Sequence, residues 1–244
     1  MSHEDNSRFL IIGTGRSGSS LLSAILADSG ANFNMPVVAT WETRGGAYEH
    51  PRLLAAYRWH SRARKIAESI WPDRLGRKFC ENRCKHELGR LLAKAKFAKY
   101  GKAMWLVPII VKLGYRPMLF VSYRSFDNYA ASHHIRSGLS LSSMIASYVD
   151  VYSTTLLQLG IFGGCAIGYE ELVNIEETQW ADAVEKLTGL SAARLLEARQ
   201  KRIKPDGERA WLKFHSSMVD PAITEVHAAL CALKGIAIRS EYTD

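Results

Sequence analysis

The stretch Gly13-Thr14-Gly15-Arg16-Ser17-Gly18-Ser19-Ser20 brings together residue types that hold an oxyanion: glycines that let the backbone come close, hydroxyls that donate, and one guanidinium. It follows the apolar run Phe9 to Ile12 and leads into a helical pattern that begins at Ser19. At such a strand-to-helix junction main-chain N–H groups converge and the helix dipole adds partial positive charge, so the backbone itself binds a phosphate-type anion. A loop built for a nucleoside triphosphate places a lysine directly after its last glycine, to reach the β and γ phosphates, and then a hydroxyl for magnesium. Here Gly13 and Gly18 keep that spacing, but Ser19 stands at the lysine position and Ser20 follows it. With Arg16 as its only cation, the loop suits one phosphate and a single neighbouring group better than a triphosphate.

A second constellation lies in "LFVSYRSFDNYAASHH", where Arg124 follows an apolar run and Ser132 comes eight residues later. Open α/β sheets bind ligands at the carboxyl ends of their strands, which is where Arg124 falls. Ser125 or Asp127 can cap the following helix, and Ser132, about two turns on, returns to the face of the helix start. Arg124 and Ser132 can therefore grip a second anion. A surface ion-pair role for the arginine is the plainer reading when the motif is taken alone; the first loop changes that balance.

The elements that must carry these groups are short apolar runs alternating with longer helical patterns, the signature of a parallel sheet covered by helices. Strands are expected at "FLII" (Phe9 to Ile12), "MLFVSY" (Met118 to Tyr123) and "CAIGY" (Cys165 to Tyr169). Leu21, Leu22, Ile25 and Leu26 make one helix stripe that ends at Gly30, a residue suited to a left-handed cap. The last third reads as helical, with a start at Asp220-Pro221, a stripe of Ile223, Val226, Leu230 and Leu233, and a stop at Gly235. The expected architecture is an α/β fold with a P-loop-type parallel sheet flanked by helices, a largely helical insertion and a helical C-terminal third.

With 244 residues and 47% hydrophobic content, the chain is expected to form one domain, residues 1–244. No apolar stretch of signal-peptide or membrane-spanning length is present, and four scattered cysteines fit a reducing compartment, so a cytoplasmic location is expected. Cys80, Cys84 and His86 could begin a metal site; cysteines four apart on one helix face are the simpler explanation, and no metal is expected. The net charge of +8 is concentrated between Arg52 and Lys102, where fifteen Lys and Arg face four Asp and Glu. This insertion, about residues 52–105, is either a solvated helical face or the side that meets an anionic partner, such as an acidic or membrane-linked acceptor. Trp59, Trp71, Phe79, Phe97, Tyr100 and Trp105 are interleaved with the charges, as they would be in a nucleic-acid surface or on the core side of amphipathic helices.

Together the loop and the Arg124/Ser132 pair resemble the sulfotransferases that use 3′-phosphoadenosine 5′-phosphosulfate (PAPS). "RSGSS" (Arg16 to Ser20) looks like the loop of carbohydrate sulfotransferases, and Arg124 with Ser132 matches the family's 3′-phosphate motif. "GYEELV" (Gly168 to Val173) is similar to a strand-end segment whose tyrosine, here Tyr169, lies near the adenine. The resemblance covers roughly residues 8 to 30 and 115 to 175. It implies that Gly15, Arg16, Ser17, Gly18, Ser19 and Ser20 hold the 5′-phosphosulfate, that Arg124 and Ser132 hold the 3′-phosphate, and that adenosine 3′,5′-bisphosphate is the product. Two departures stand out. "KAMWLVPIIVK" (Lys102 to Lys112) keeps only Trp105 and Pro108 of a segment found in bacterial relatives, and the late Arg-Lys-Gly triplet of cytosolic members is missing. Arg202, Lys204 or Arg209 could supply equivalent cations, or form an ordinary basic loop.

The chemistry implied is transfer of a sulfuryl group to an acceptor hydroxyl, carbohydrate favoured, without magnesium because the sulfuryl group carries less charge than a phosphoryl. Arg16 would meet the charge growing on the bridging oxygen. In relatives a Gly-aromatic-Glu pattern lies near the acceptor cleft, and "WETRGGAYEHPRLL" (Trp41 to Leu54) matches it best at Glu49, with Glu42 and His50 as rivals for the general base. His133 and His134 follow Ser132 directly and read as packing residues. The competing classes are a P-loop kinase-like nucleotide-binding protein and a basic module for nucleic acid or membrane; nucleic acid is the less favoured partner.

Overall fold

The computed structural model describes residues 6–36, 48–70, 73–203 and 220–239, with the side chains of 134–137 aside. Four parallel strands form one sheet in the order β2-β1-β3-β4: β1 (Ser7–Ile12), β2 (Phe97–Lys99), β3 (Arg116–Tyr123) and β4 (Gly164–Gly168). The three expected strands are present, and Tyr169 begins a helix instead of ending β4. The basic segment is not wholly helical, because it contains the edge strand β2, paired with β1 from Phe9–Phe97 to Ile11–Lys99.

Alternation along the strands divides the core into two layers, as side chains of successive strand residues point to opposite faces. Leu10, Ile12, Leu119, Val121 and Ala166 face one side, under α2 (Pro51–Ala67), α3 (Arg74–Leu92), α4 (Val107–Lys112), α5 (Phe126–Ser137), α6 (Leu141–Phe162) and α10 (Pro221–Ala232). Phe9, Ile11, Phe97, Phe120 and Ile167 face the other, against α1 (Ser19–Asp28), α8 (Gln179–Thr188) and α9 (Ala192–Arg202). There Phe9 stacks on Phe97 and Phe120 at 4.7 and 5.6 Å between ring centroids. The short helix α7 (Tyr169–Val173) follows β4 directly. Helix α10 starts as expected, with Asp220 accepting from the Ala222 N–H and Pro221 in the first turn. Among the described residues, no helix is long and apolar enough to cross a membrane.

Candidate functional site at the carboxyl end of the sheet

All four strands run parallel, so their carboxyl ends share one edge and the segments that follow them meet there. The loop after β1 turns on two left-handed residues, Arg16 (φ 71°) and Gly18 (φ 92°). A non-glycine residue in that region is uncommon and strained, so the loop holds Arg16 against its own preference. Two glycines are dictated by close approach. A Cβ on Gly13 would collide with the Ser122 carbonyl oxygen of β3, and one on Gly18 would lie 2.6 Å from Cδ2 of Tyr169. Beneath the loop, the Tyr152 hydroxyl donates to the Ser122 carbonyl (3.0 Å) and lies 3.1 Å from Thr14 Oγ1. Ser122 Oγ donates to the Ser17 carbonyl at 2.8 Å.

Gly18 occupies the N-cap position of α1 and offers no side-chain cap, so the first-turn N–H groups of α1 remain aimed at the space the loop frames. Ser20 is half-buried at this helix start. Ser17 behaves differently from expectation: it is wholly buried and its Oγ lies against Gly13. Ser19 is also buried, and its carbonyl accepts from Ser23 Oγ.

The loop and the second motif come together. Arg16 Nε donates to Ser132 Oγ at 3.0 Å, across 116 residues of sequence. The Arg124 guanidinium lies over the Tyr169 ring, 4.4 Å from its centroid, and that same ring packs against Gly18. Arg124 is therefore separated from the loop by one aromatic ring, with both Arg124 and Tyr169 buried. The capping expectation for α5 is corrected: Ser125 sits at the N-cap position without a side-chain capping bond. Instead a Glu170 oxygen, from α7, accepts from the Ser125 N–H (3.3 Å) and from Asn128 Nδ2 (3.1 Å). The start of α5 thus already holds a carboxylate, which satisfies the helix dipole, and a phosphate nearby would depend on side chains such as Arg124 and Ser132.

A lysine reaches the loop from a neighbouring strand. Lys99, the last residue of β2, directs Nζ to Ser20 Oγ at 3.1 Å and to Glu49 Oε1 at 3.2 Å. Burial lowers its pKa, and the adjacent Glu49 carboxylate works against that shift. Sequence reading missed this residue because it sits inside a charge-rich stretch; the signal available was a lysine closing an apolar triplet, Phe97-Ala98-Lys99. The sequence neighbour of Glu49, Tyr48, is buried, with its ring 5.1 Å from that of Phe33.

Other expected site residues go elsewhere. His50 caps α2, its Nδ1 accepting from the Arg52 N–H at 3.1 Å, and burial followed by the nearby Arg52 lowers its pKa. A neutral ring nitrogen committed to a cap is a structural element and not a free base. Arg202 is corrected: it grips Asp28 with two bonds of 2.6 and 2.7 Å at the far end of α1, roughly 14 Å from the loop along the helix. Glu42, Lys204 and Arg209 lie outside the described residues, as do Trp41 and Trp71. His133 packs edge-on against Tyr129 and its Nε2 lies 2.9 Å from the Gly15 carbonyl, with burial lowering its pKa. It braces the loop. Cys80 and Cys84 face the core from α3, where burial pushes the Cys84 thiol up to about 12. A surface hollow of about 450 Å³ lies apart from all these groups, lined by Gln179, Asp182, Lys186 and Lys234.

Fold and site define an α/β protein with a glycine-rich strand-to-helix loop at the carboxyl edge of a parallel sheet. No protein-family model matches the chain, and no curated protein or solved structure matches it.

Proposed function

We propose that the chain is a sulfotransferase that moves a sulfuryl group from PAPS to an acceptor hydroxyl, with carbohydrate the favoured acceptor. The observation that supports this reading is the Arg16–Ser132 bond, which joins one residue matched to the 5′-phosphosulfate seat to one matched to the 3′-phosphate seat. Tyr169, between Gly18 and Arg124, supports the same reading as a ring beside the base.

In the proposed reaction the acceptor oxygen forms a bond to sulfur while the bond from sulfur to the bridging phosphate oxygen breaks. The electron pair stays on that bridging oxygen, which leaves with adenosine 3′,5′-bisphosphate. Arg16 and Lys99 are the cations that would meet its charge, aided by the first-turn N–H groups of α1. The acceptor proton would pass to Glu49, whose carboxylate is half-buried next to Lys99. A second reading, phosphoryl transfer, is favoured by one observation: Lys99 restores an ammonium beside Ser20, where a triphosphate-binding loop has its own lysine and hydroxyl.

Thermal shifts with adenosine 3′,5′-bisphosphate, AMP, and ATP with magnesium separate the two. A ligand at about a hundred times its Kd adds about 2.7 kcal/mol, a rise of about 5–10 °C in a domain of this size. The sulfotransferase reading expects the largest rise with the bisphosphate and its reduction to the AMP value in Arg124→Ala. Equal shifts with the bisphosphate and AMP would remove the 3′-phosphate seat, and a larger shift with ATP and magnesium would favour the kinase.

A further inference from the structure

Helices α2 and α3 form an antiparallel hairpin whose two ends have opposite character. At the root, Leu53, Ala56, Leu88, Leu91 and Leu92 are buried in the core. At the turn, Ile70, Leu75 and Phe79 are 90%, 81% and 57% exposed. Single exposed apolar residues are ordinary, but these three occupy one end of one hairpin, and Leu75 and Phe79, four apart, share a face of α3.

Cations surround them. Between Arg58 and Lys85 the hairpin has nine Lys and Arg against three Asp and Glu. Each acid is already engaged: Glu68 with Arg64 at 3.1 Å, Glu81 with Arg77 at 2.8 Å, and Asp73 as the cap that accepts from the Leu75 and Gly76 N–H groups. The other seven cations have no acidic partner among the described residues. Two of them share the Trp59 ring with Phe79: Arg62 and Arg83 lie 5.0 and 5.7 Å from its centroid, and Phe79 meets it edge-on at 5.7 Å.

We infer that the tip of this hairpin docks on an anionic lipid bilayer, Ile70, Leu75 and Phe79 entering the headgroup boundary while the surrounding Lys and Arg meet the lipid phosphates. Apolar side chains backed by basic ones are the pattern of interfacial binding, and each basic side chain near an anionic surface contributes roughly a fivefold factor in affinity. A single-stranded nucleic acid fits less well, since successive bases need several open rings to stack on, and among the described residues at this end Phe79 alone offers an exposed ring. The half-buried Trp59 ring is already flanked by Phe79, Arg62 and Arg83, and the most exposed apolar groups are aliphatic. Helix α2 spans 17 residues, about 25 Å, so contact at the tip leaves Glu49 and His50 at the other end uncovered. The inference does not rest on the proposed transferase activity, because no residue of the loop after β1 takes part.

The test is co-sedimentation of the full chain with vesicles of about 30% phosphatidylserine in phosphatidylcholine, against phosphatidylcholine alone, at low and at raised salt. Binding is expected to the anionic vesicles only, weakened by salt, and lowered at least about tenfold in I70S/L75S. Because both side chains are exposed, that double variant should keep the wild-type melting temperature; adding Phe79→Ser extends the loss. Lys65→Gln with Lys78→Gln should weaken binding further while leaving the fold intact. No binding to anionic vesicles overturns the inference, as does I70S/L75S binding as tightly as wild type. Tighter binding to single-stranded DNA than to the vesicles, unaffected by I70S/L75S, would reassign the surface to nucleic acid.

Discussion

Lys99 and Glu49 form a pair whose two members are unequally buried, with side-chain exposures of 3% and 22%. The asymmetry predicts that Lys99→Met separates stability from activity, whereas Glu49→Gln, which also removes the proposed base, loses both. In Glu49→Gln the Lys99 ammonium stays inside the protein and loses this carboxylate, with Ser20 Oγ still 3.1 Å away. Breaking a buried pair by removing one partner costs about 3–5 kcal/mol, and because Glu49 is partly solvated the lower end, about 3 kcal/mol, is expected. In Lys99→Met the buried charge goes too, and the remaining carboxylate can turn to water, so the cost should be about 1 kcal/mol or less. At roughly 2–4 °C per kcal/mol for a chain of this size, Glu49→Gln should melt about 6–12 °C lower and Lys99→Met within about 4 °C of wild type. On the proposed transferase reading turnover should behave otherwise: losing a preorganised cation costs about 3 kcal/mol of transition-state stabilisation, or about a hundredfold, so Lys99→Met should be folded and nearly inactive.

The pH dependence has a definite sign. Burial holds the Lys99 pKa below the ordinary 10.5, so between the folded and unfolded values the unfolded chain binds more protons and stability rises with pH. Glu49→Gln removes the carboxylate that opposes this shift. Its window should therefore extend further down in pH, and its deficit should shrink as pH rises toward 10.5, whereas Lys99→Met has no such recovery. Urea denaturation of both variants across this range, alongside turnover with labelled donor, makes the measurement. If Lys99→Met is destabilised as much as Glu49→Gln, the carboxylate and not the lysine bears the desolvation. If Lys99→Met keeps full turnover, Lys99 has no part in the chemistry.

Tyr152→Phe removes a buried hydroxyl that serves both the Ser122 carbonyl and Thr14, and should cost about 1–3 kcal/mol in urea denaturation; an unchanged midpoint would mean that the loop does not depend on this post. Gly18→Ala puts a methyl against Tyr169 in a left-handed residue and should cost about 1–3 kcal/mol. It should also weaken the distinction between adenosine 3′,5′-bisphosphate and AMP in thermal shifts, since the ring that supports Arg124 must move. A thiol reagent at neutral pH should find one fast cysteine, the exposed Cys231, while Cys80, Cys84 and Cys165 react only as the chain unfolds. Burial also raises the Cys84 and Cys165 pKa values, and a second fast thiol would contradict the packing of α3 or β4.

What could be read from the sequence was whatever a short window contains. The strands β1, β3 and β4 are apolar runs bounded by turn residues, and the loop after β1 has its glycines within six positions, so local chemistry announces both. The strand β2 could not announce itself in the same way. It has three residues, too few for a period, and is preceded by Lys94 and Lys96 in a stretch whose charge suggests helix. Its strand character comes from pairing with β1, 88 positions away at Phe9 and Phe97, which propensity does not encode. The same pairing shapes the site. Within its own window the loop has one cation and no lysine, while the sheet delivers Lys99 to Ser20 from 79 residues away. The same reasoning accounts for Glu170: read locally, α5 needed its own cap, Ser125 or Asp127, yet parallel neighbours end side by side and the helix after β4 can cap the helix after β3. In a parallel sheet the residues following each strand are neighbours by construction. Charges at consecutive strand ends should therefore be read as one set, and here that set is Arg16, Lys99, Arg124 and Glu170.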